Sequence, residues 1–129
     1  MAMTKILIVD DDEILRNMYK TKFVNRGYDV VTAENGETGL NLALSQKPAL
    51  ILLDIRMPIM DGVTMMEKLR TDPWGRGVPI IILSVVEPVR ENILDNIAKG
   101  KPAYYLEKAN TTPEQVVEKA EEIINLYKD

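Results

Sequence analysis

Ile6-Leu7-Ile8-Val9-Asp10-Asp11-Asp12 sets four aliphatic residues directly against three carboxylates. A run that is apolar at every position, rather than at alternate ones, predicts a strand covered on both faces. The pattern returns twice: Leu50-Ile51-Leu52-Leu53 ends in Asp54, and Ile80-Ile81-Ile82-Leu83 ends at Ser84. Tyr28 to Ala33 predicts a further strand, and Ala103 to Leu106 a short fifth one.

Helical spacing fills the intervals. Ile14, Leu15, Met18, Tyr19 and Phe23 recur on one face, and Asn25-Arg26-Gly27 ends that helix with Gly27 as a left-handed cap. Asn35-Gly36 opens a second helix carrying Leu40, Ala43 and Leu44. A loop with Met57-Pro58 and Asp61-Gly62 precedes a third, with Met65, Met66 and Leu69. Asp72-Pro73-Trp74-Gly75-Arg76-Gly77 is a turn-rich connector, and Val89, Ile93, Leu94 and Ile97 outline a fourth helix. Thr112, Pro113 and Gln115 predict the N-cap, N1 and N3 of a capping box, followed by a stripe of Val116, Ala120, Ile123, Ile124 and Tyr127. Strict strand–helix alternation predicts an α/β fold: a three-layer (βα)5 doubly wound, flavodoxin-like sandwich with parallel sheet order 2-1-3-4-5. Residues 1–129 are expected to form a single domain.

Composition narrows the chemistry. Sixteen Lys and Arg against twenty Asp and Glu give a net charge of −4, so no global attraction to nucleic acid is expected. The absence of Cys and His removes thiolate catalysis, Ser-His-Asp triads and imidazole metal sites. No apolar stretch approaches the roughly 20 residues that span a bilayer. Met1 to Lys5 lacks the apolar core of a signal peptide. A cytoplasmic protein with no membrane partner is expected.

In doubly wound sheets ligands bind at the carboxyl ends of the strands, near the reversal of strand order. Those ends carry Asp10 and Asp11, Asp54, Ser84 and, just past the fifth strand, Lys108. Adjacent strand residues face opposite ways, so Asp10 and Asp11 reach one spot only where the strand has ended. Three carboxylates within ~4–6 Å resist joint ionisation. A hard divalent cation, Mg2+ or Mn2+, resolves the conflict. Taken singly, each residue has an ordinary reading: Asp12 as a helix N-cap, Asp10 and Asp11 as members of an Asp-rich turn, Ser84 as a loop opener, Lys108 as a surface charge. Their joint placement at one sheet edge carries the signal.

These segments also resemble a known family. Ile6 to Asp11, Leu52-Leu53-Asp54-Ile55-Arg56-Met57-Pro58-Ile59-Met60-Asp61-Gly62, Leu83-Ser84 and Tyr105-Leu106-Glu107-Lys108 resemble the receiver domain of two-component response regulators, in its stand-alone form. The resemblance implies that Asp54 is the phosphoacceptor. It implies Mg2+ held by Asp11 directly, by Asp10 chiefly through water, by Asp54 and by the backbone carbonyl of Arg56. Ser84 would bond the incoming phosphoryl group, Lys108 would pair with it, and Tyr105 would be the switch aromatic. The phosphodonor would be a histidine kinase or phosphotransfer protein. Output would be docking of a target on the face of helix 4, strand 5 and helix 5, by a monomer or a phosphorylation-dependent dimer.

The chain departs from the family pattern at Ala109, where many receivers have proline, at Val85, where a small residue is usual, and in Gly100-Lys101-Pro102-Ala103, which is one residue longer. After Lys108, a trans bond or a strained loop is expected. Arg56 and Val86 flank the site and offer no water-activating base, so a long-lived phosphoryl group is expected. Three other readings compete. A phosphorylation-independent binding module would leave the acidic pocket vestigial. An Mg2+-dependent phosphatase of the haloacid-dehalogenase type needs a second Asp where Arg56 stands. A flavodoxin needs backbone donors, not carboxylates, in the first turn.

Overall fold

The computed structural model describes residues 3–85, 95 and 97–127. The strands are β1 (Lys5–Val9), β2 (Asp29–Ala33), β3 (Leu50–Leu53), β4 (Ile80–Ser84) and β5 (Tyr104–Glu107). The helices are α1 (Glu13–Asn25), α2 (Gly36–Gln46), α3 (Gly62–Leu69), α4, of which residues 95 and 97–99 are described, and α5 (Pro113–Leu126). The sheet is parallel throughout, in the expected order β2-β1-β3-β4-β5.

Continuous apolar strands divide their side chains between two layers because successive residues alternate in direction. Leu7, Val9, Ile51, Leu53, Ile80 and Ile82 pack with Ala43, Met65, Met66 and Leu69 from α2 and α3. Ile6, Ile8, Leu50, Leu52, Ile81 and Leu83 pack with Tyr19, Phe23, Val116, Val117 and Ala120 from α1 and α5. The sheet therefore has a core on each face. α5 opens with the capping box read from the sequence: the Thr112 side chain accepts from Gln115 N–H, and the Gln115 side chain accepts from Thr112 N–H. Gly27, just past α1, has φ +92, the left-handed conformation expected of it.

Four details differ from the sequence reading. Ile14 is 81% exposed; it sits in the first turn of α1, one position round from Leu15, and only Leu15 turns inward. Leu44 and Tyr127 are also exposed, at the far edge of α2 and beyond the end of α5. β5 runs one residue later than predicted, ending at Glu107. It is the sheet's edge strand, only half covered, so its polar residues blur the boundary. Val86, Val89, Ile93 and Leu94 lie outside the described residues; Ile97 is buried as read.

Candidate functional site

β1 ends at Val9, β3 at Leu53, and the two strands pair in register, Val9 beside Leu53. The next residues, Asp10 and Asp54, therefore leave adjacent strands side by side. Asp10 N–H donates to Ala33 O at 3.0 Å and Asp54 N–H to Val9 O at 2.9 Å, which extends the ladder by one step and holds both backbones. Asp10, Asp11 and Asp54 each offer an oxygen, all within 4.8 Å of one another. Asp10 and Asp54 are buried, while Asp11 is exposed.

Both oxygens of the Asp10 carboxylate have a partner. Its Oδ1 accepts Asp12 N–H at 2.9 Å and its Oδ2 accepts Lys108 Nζ at 2.9 Å. Asp54 Oδ1 accepts Ile55 N–H at 2.8 Å, and its Oδ2 lies 3.6 Å from Lys108 Nζ. Among the described residues no hydrogen bond or ion pair engages the Asp11 carboxylate. One ammonium thus pairs with two carboxylates, and the third lies beside them without a cation. Burial pushes Asp54 up to about 6; Lys108 pulls it down, and Asp10 and Asp11 push it further up. Burial alone would lower Lys108, but its bonds to Asp10 and Asp54 outweigh that and raise it. All-oxygen donors with surplus negative charge fit a hard divalent cation such as Mg2+.

The loop after β3 is pinned to hold Asp54. Asp61 caps α3, its side chain accepting Thr64 N–H at 2.8 Å. Gly62 N–H donates to Ile55 O at 2.8 Å, and a methyl group at Gly62 would land on the Asp54 carbonyl oxygen. Gly36 N–H ties α2 to the same loop at Met60 O, 2.8 Å. Asp61-Gly62 thus positions Asp54 through its backbone, without engaging its carboxylate. Ile59 in this loop takes φ +69, a strained conformation for a β-branched residue.

Asp10, Asp11, Asp54 and Lys108 are brought together. Ser84 is fully buried at the end of β4. Tyr105 is half-buried against the α2–α3 core, and Arg56 is exposed after β3. Asp12 is the N-cap of α1, accepting Leu15 N–H at 3.1 Å. Lys108–Ala109 is trans, as are all peptide bonds among the described residues, and Lys108–Asn110 forms a 3-10 turn. The sequence reading missed Arg16. Its Nη1 donates to the Asp10 carbonyl at 2.8 Å, and no spacing rule announces a cation that reaches back to a backbone oxygen.

The response regulator receiver domain family matches residues 6–121, and the chain belongs to that family. Receiver domains are signalling switches of two-component systems and generally bind Mg2+ at an acidic pocket. Response regulator PleD of Caulobacter vibrioides is 39% identical over 83 residues, 64% of this chain and 18% of PleD. The probable transcriptional regulator ycf27 of Guillardia theta is 40% identical over 89 residues, 69% of this chain and 34% of ycf27. The chain thus spans about a third or less of the length of these curated relatives. A CheY-like receiver domain protein from Methanospirillum hungatei superposes with TM-score 0.87 over 98% of both chains at 24% identity, a likeness of fold.

Proposed function

We propose that the chain accepts a phosphoryl group on Asp54 from a phosphohistidine of a sensor kinase or phosphotransfer protein, in a Mg2+-dependent reaction, and signals through a protein partner. The observation that carries this reading is the convergence of three carboxylates at adjacent strand ends, two of them paired with one ammonium. Asp54 Oδ1 is held by Ile55 N–H, which leaves Oδ2, on the Lys108 side, as the nucleophile. The Asp54 oxygen forms a bond to phosphorus as the phosphorus–nitrogen bond breaks, and the histidine leaves with the electron pair. Phosphoryl transfer needs alignment and charge neutralisation rather than a strong base, so a chain without His is adequate.

Asp11 and Asp54, with Asp10 through water and the Arg56 carbonyl, are the residues that would hold Mg2+; when bound it neutralises the carboxylates and the phosphoryl oxygens. Ser84 hydroxyl and Lys108 ammonium then bond the new phosphoryl oxygens. The added charge draws the loops after β4 and β5 inward, and Tyr105 follows. The target docks on the α4–β5–α5 face. Residues 1–129 act as one receiver domain in the cytoplasm, without direct nucleic-acid contact of their own, as a monomer or phosphorylation-dependent dimer. The assembled acidic cluster and its lysine favour this over a vestigial pocket.

The test is incubation with acetyl phosphate and Mg2+, followed by intact-mass measurement. A single phosphate addition, absent from Asp54→Ala and from samples with chelator, is the expected result. Continuous phosphate release from many esters would instead mark a phosphatase. No modification would leave only a binding module.

A further inference from the structure

The helix α5 carries glutamates toward two sides, and the two sides differ in how they are matched. Toward α1, Glu114 pairs with Lys22 at 2.7 Å and Glu121 with Arg26, two cations four residues apart on one helix. Toward β5, Glu118 and Glu122 lie one helical turn apart. Like charges at that spacing repel. Lys119, the one cation lining this side among the described residues, is already held: its Nζ is 3.1 Å from Glu122 and 4.3 Å from the centre of the Tyr104 ring. Among the described residues no hydrogen bond or ion pair engages Glu118. Between β5 and α5 lies a groove of about 350 Å³, lined by Tyr104, Leu106, Glu118, Lys119 and Glu122 among others. Tyr104 is 42% exposed there, an aromatic wall beside an acidic rim.

We infer that this groove seats a basic helix of the output partner, carrying two Lys or Arg residues one turn apart and an aliphatic residue between them. The inference rests on the proposed α4–β5–α5 output face and names the chemistry of what docks there. One partner cation does for Glu118 what Lys22 and Arg26 do for Glu114 and Glu121, and the other takes over Glu122 from Lys119. Its aliphatic residue covers Leu106 and the Tyr104 ring, and a partner guanidinium can replace Lys119 over that ring.

The probe is a synthetic helical alanine–leucine peptide with one Lys and one Arg four residues apart; its twin carries Glu at both places. Each is titrated into isotope-labelled protein with saturating Mg2+, so that the Asp10–Asp11–Asp54 cluster does not compete for the cations. The expected result is amide shifts at Tyr104, Leu106, Glu118 and Glu122 with the basic peptide alone, and affinity about fivefold weaker in Glu118→Gln/Glu122→Gln. Equal binding of the twin, or unchanged binding by the double variant, overturns the inference. The same samples, treated with acetyl phosphate and weighed, separate the two readings. Phosphorylation without peptide binding overturns the groove alone. Peptide binding without phosphorylation overturns the phosphoacceptor reading and leaves the groove standing.

Discussion

The two poles of the sheet handle buried charge in opposite ways. At the carboxyl pole Asp10 and Asp54 share Lys108 with the Asp11 carboxylate close by, so negative charge is in surplus; burial, and after it the neighbouring carboxylates, raise Asp54 to about 6. At the amino pole the half-buried Arg70 meets no carboxylate among the described residues. Its guanidinium donates to four carbonyls: Gly100 at 2.8 Å, Gly75 at 2.6 Å, Val78 at 2.8 Å and Lys101 at 3.2 Å. Those acceptors belong to the connector after α3 and the turn before β5. Neutral dipoles around a fixed cation form a clamp whose strength does not change with ionisation. Carboxylates crowded around a lysine form a site that does change, on proton, metal or phosphoryl binding. One pole is built for stability and the other holds a destabilised group.

The widest gap between the poles is expected in Arg70→Ala, which strips four carbonyls of their donor in a half-buried setting. A loss of about 3 kcal/mol in urea unfolding is expected, with the same value at pH 5.5 and pH 8. Arg70→Lys recovers less than half, because one ammonium cannot span four acceptors. A cost below about 1 kcal/mol would show that the clamp is ornamental and dissolve the contrast.

Asp54→Asn is expected to move stability the other way. The folded carboxyl titrates at about 6 against an ordinary 3.8. Its contribution is therefore most favourable below that ordinary value and is lost as pH rises through the folded one. In metal-free protein at pH 7.5 the variant is expected to be about 2–3 kcal/mol more stable than wild type. The difference shrinks toward pH 4 and on adding Mg2+ to the wild type. Parallel unfolding curves for the two proteins across pH 4–7.5 would place Asp54 in an ordinary environment and remove the surplus charge from the argument.

This contrast also separates what the sequence reveals from what it hides. β1, β3 and β4 are legible because both faces of Ile6–Val9, Leu50–Leu53 and Ile80–Leu83 are buried, so these runs are apolar throughout and each stops at a polar residue. Asp10, Asp11, Asp54 and Lys108 are legible because strand ends of one parallel sheet meet at one edge. Ile14 was misread because periodicity places it beside Leu15 without saying which of the two turns inward at the first turn. The shifted start of β5 follows from its place at the sheet's edge. Arg70 and Arg16 leave no pattern at all: a cation bonded to backbone oxygens chooses its partners by folded geometry, and a carbonyl is present at every position.

Arg16 is the carboxyl pole's small counterpart of Arg70, with one backbone acceptor where Arg70 has four. The acceptor is the carbonyl of Asp10, whose carboxylate is already shared between Asp12 N–H and Lys108. Arg16 therefore holds the turn from which Asp11 projects, without touching the Asp11 carboxylate. Arg16→Ala is expected to cost only about 1 kcal/mol in unfolding, since a single hydrogen bond is lost. Mg2+ affinity is expected to weaken about tenfold by calorimetric titration, because the ligand-bearing turn is freed. Arg16→Lys, which retains a donor, is expected to restore most of that affinity. Stability lost with Mg2+ binding unchanged would mean that Arg16 is a clamp like Arg70, and that the divide between the poles does not reach this turn.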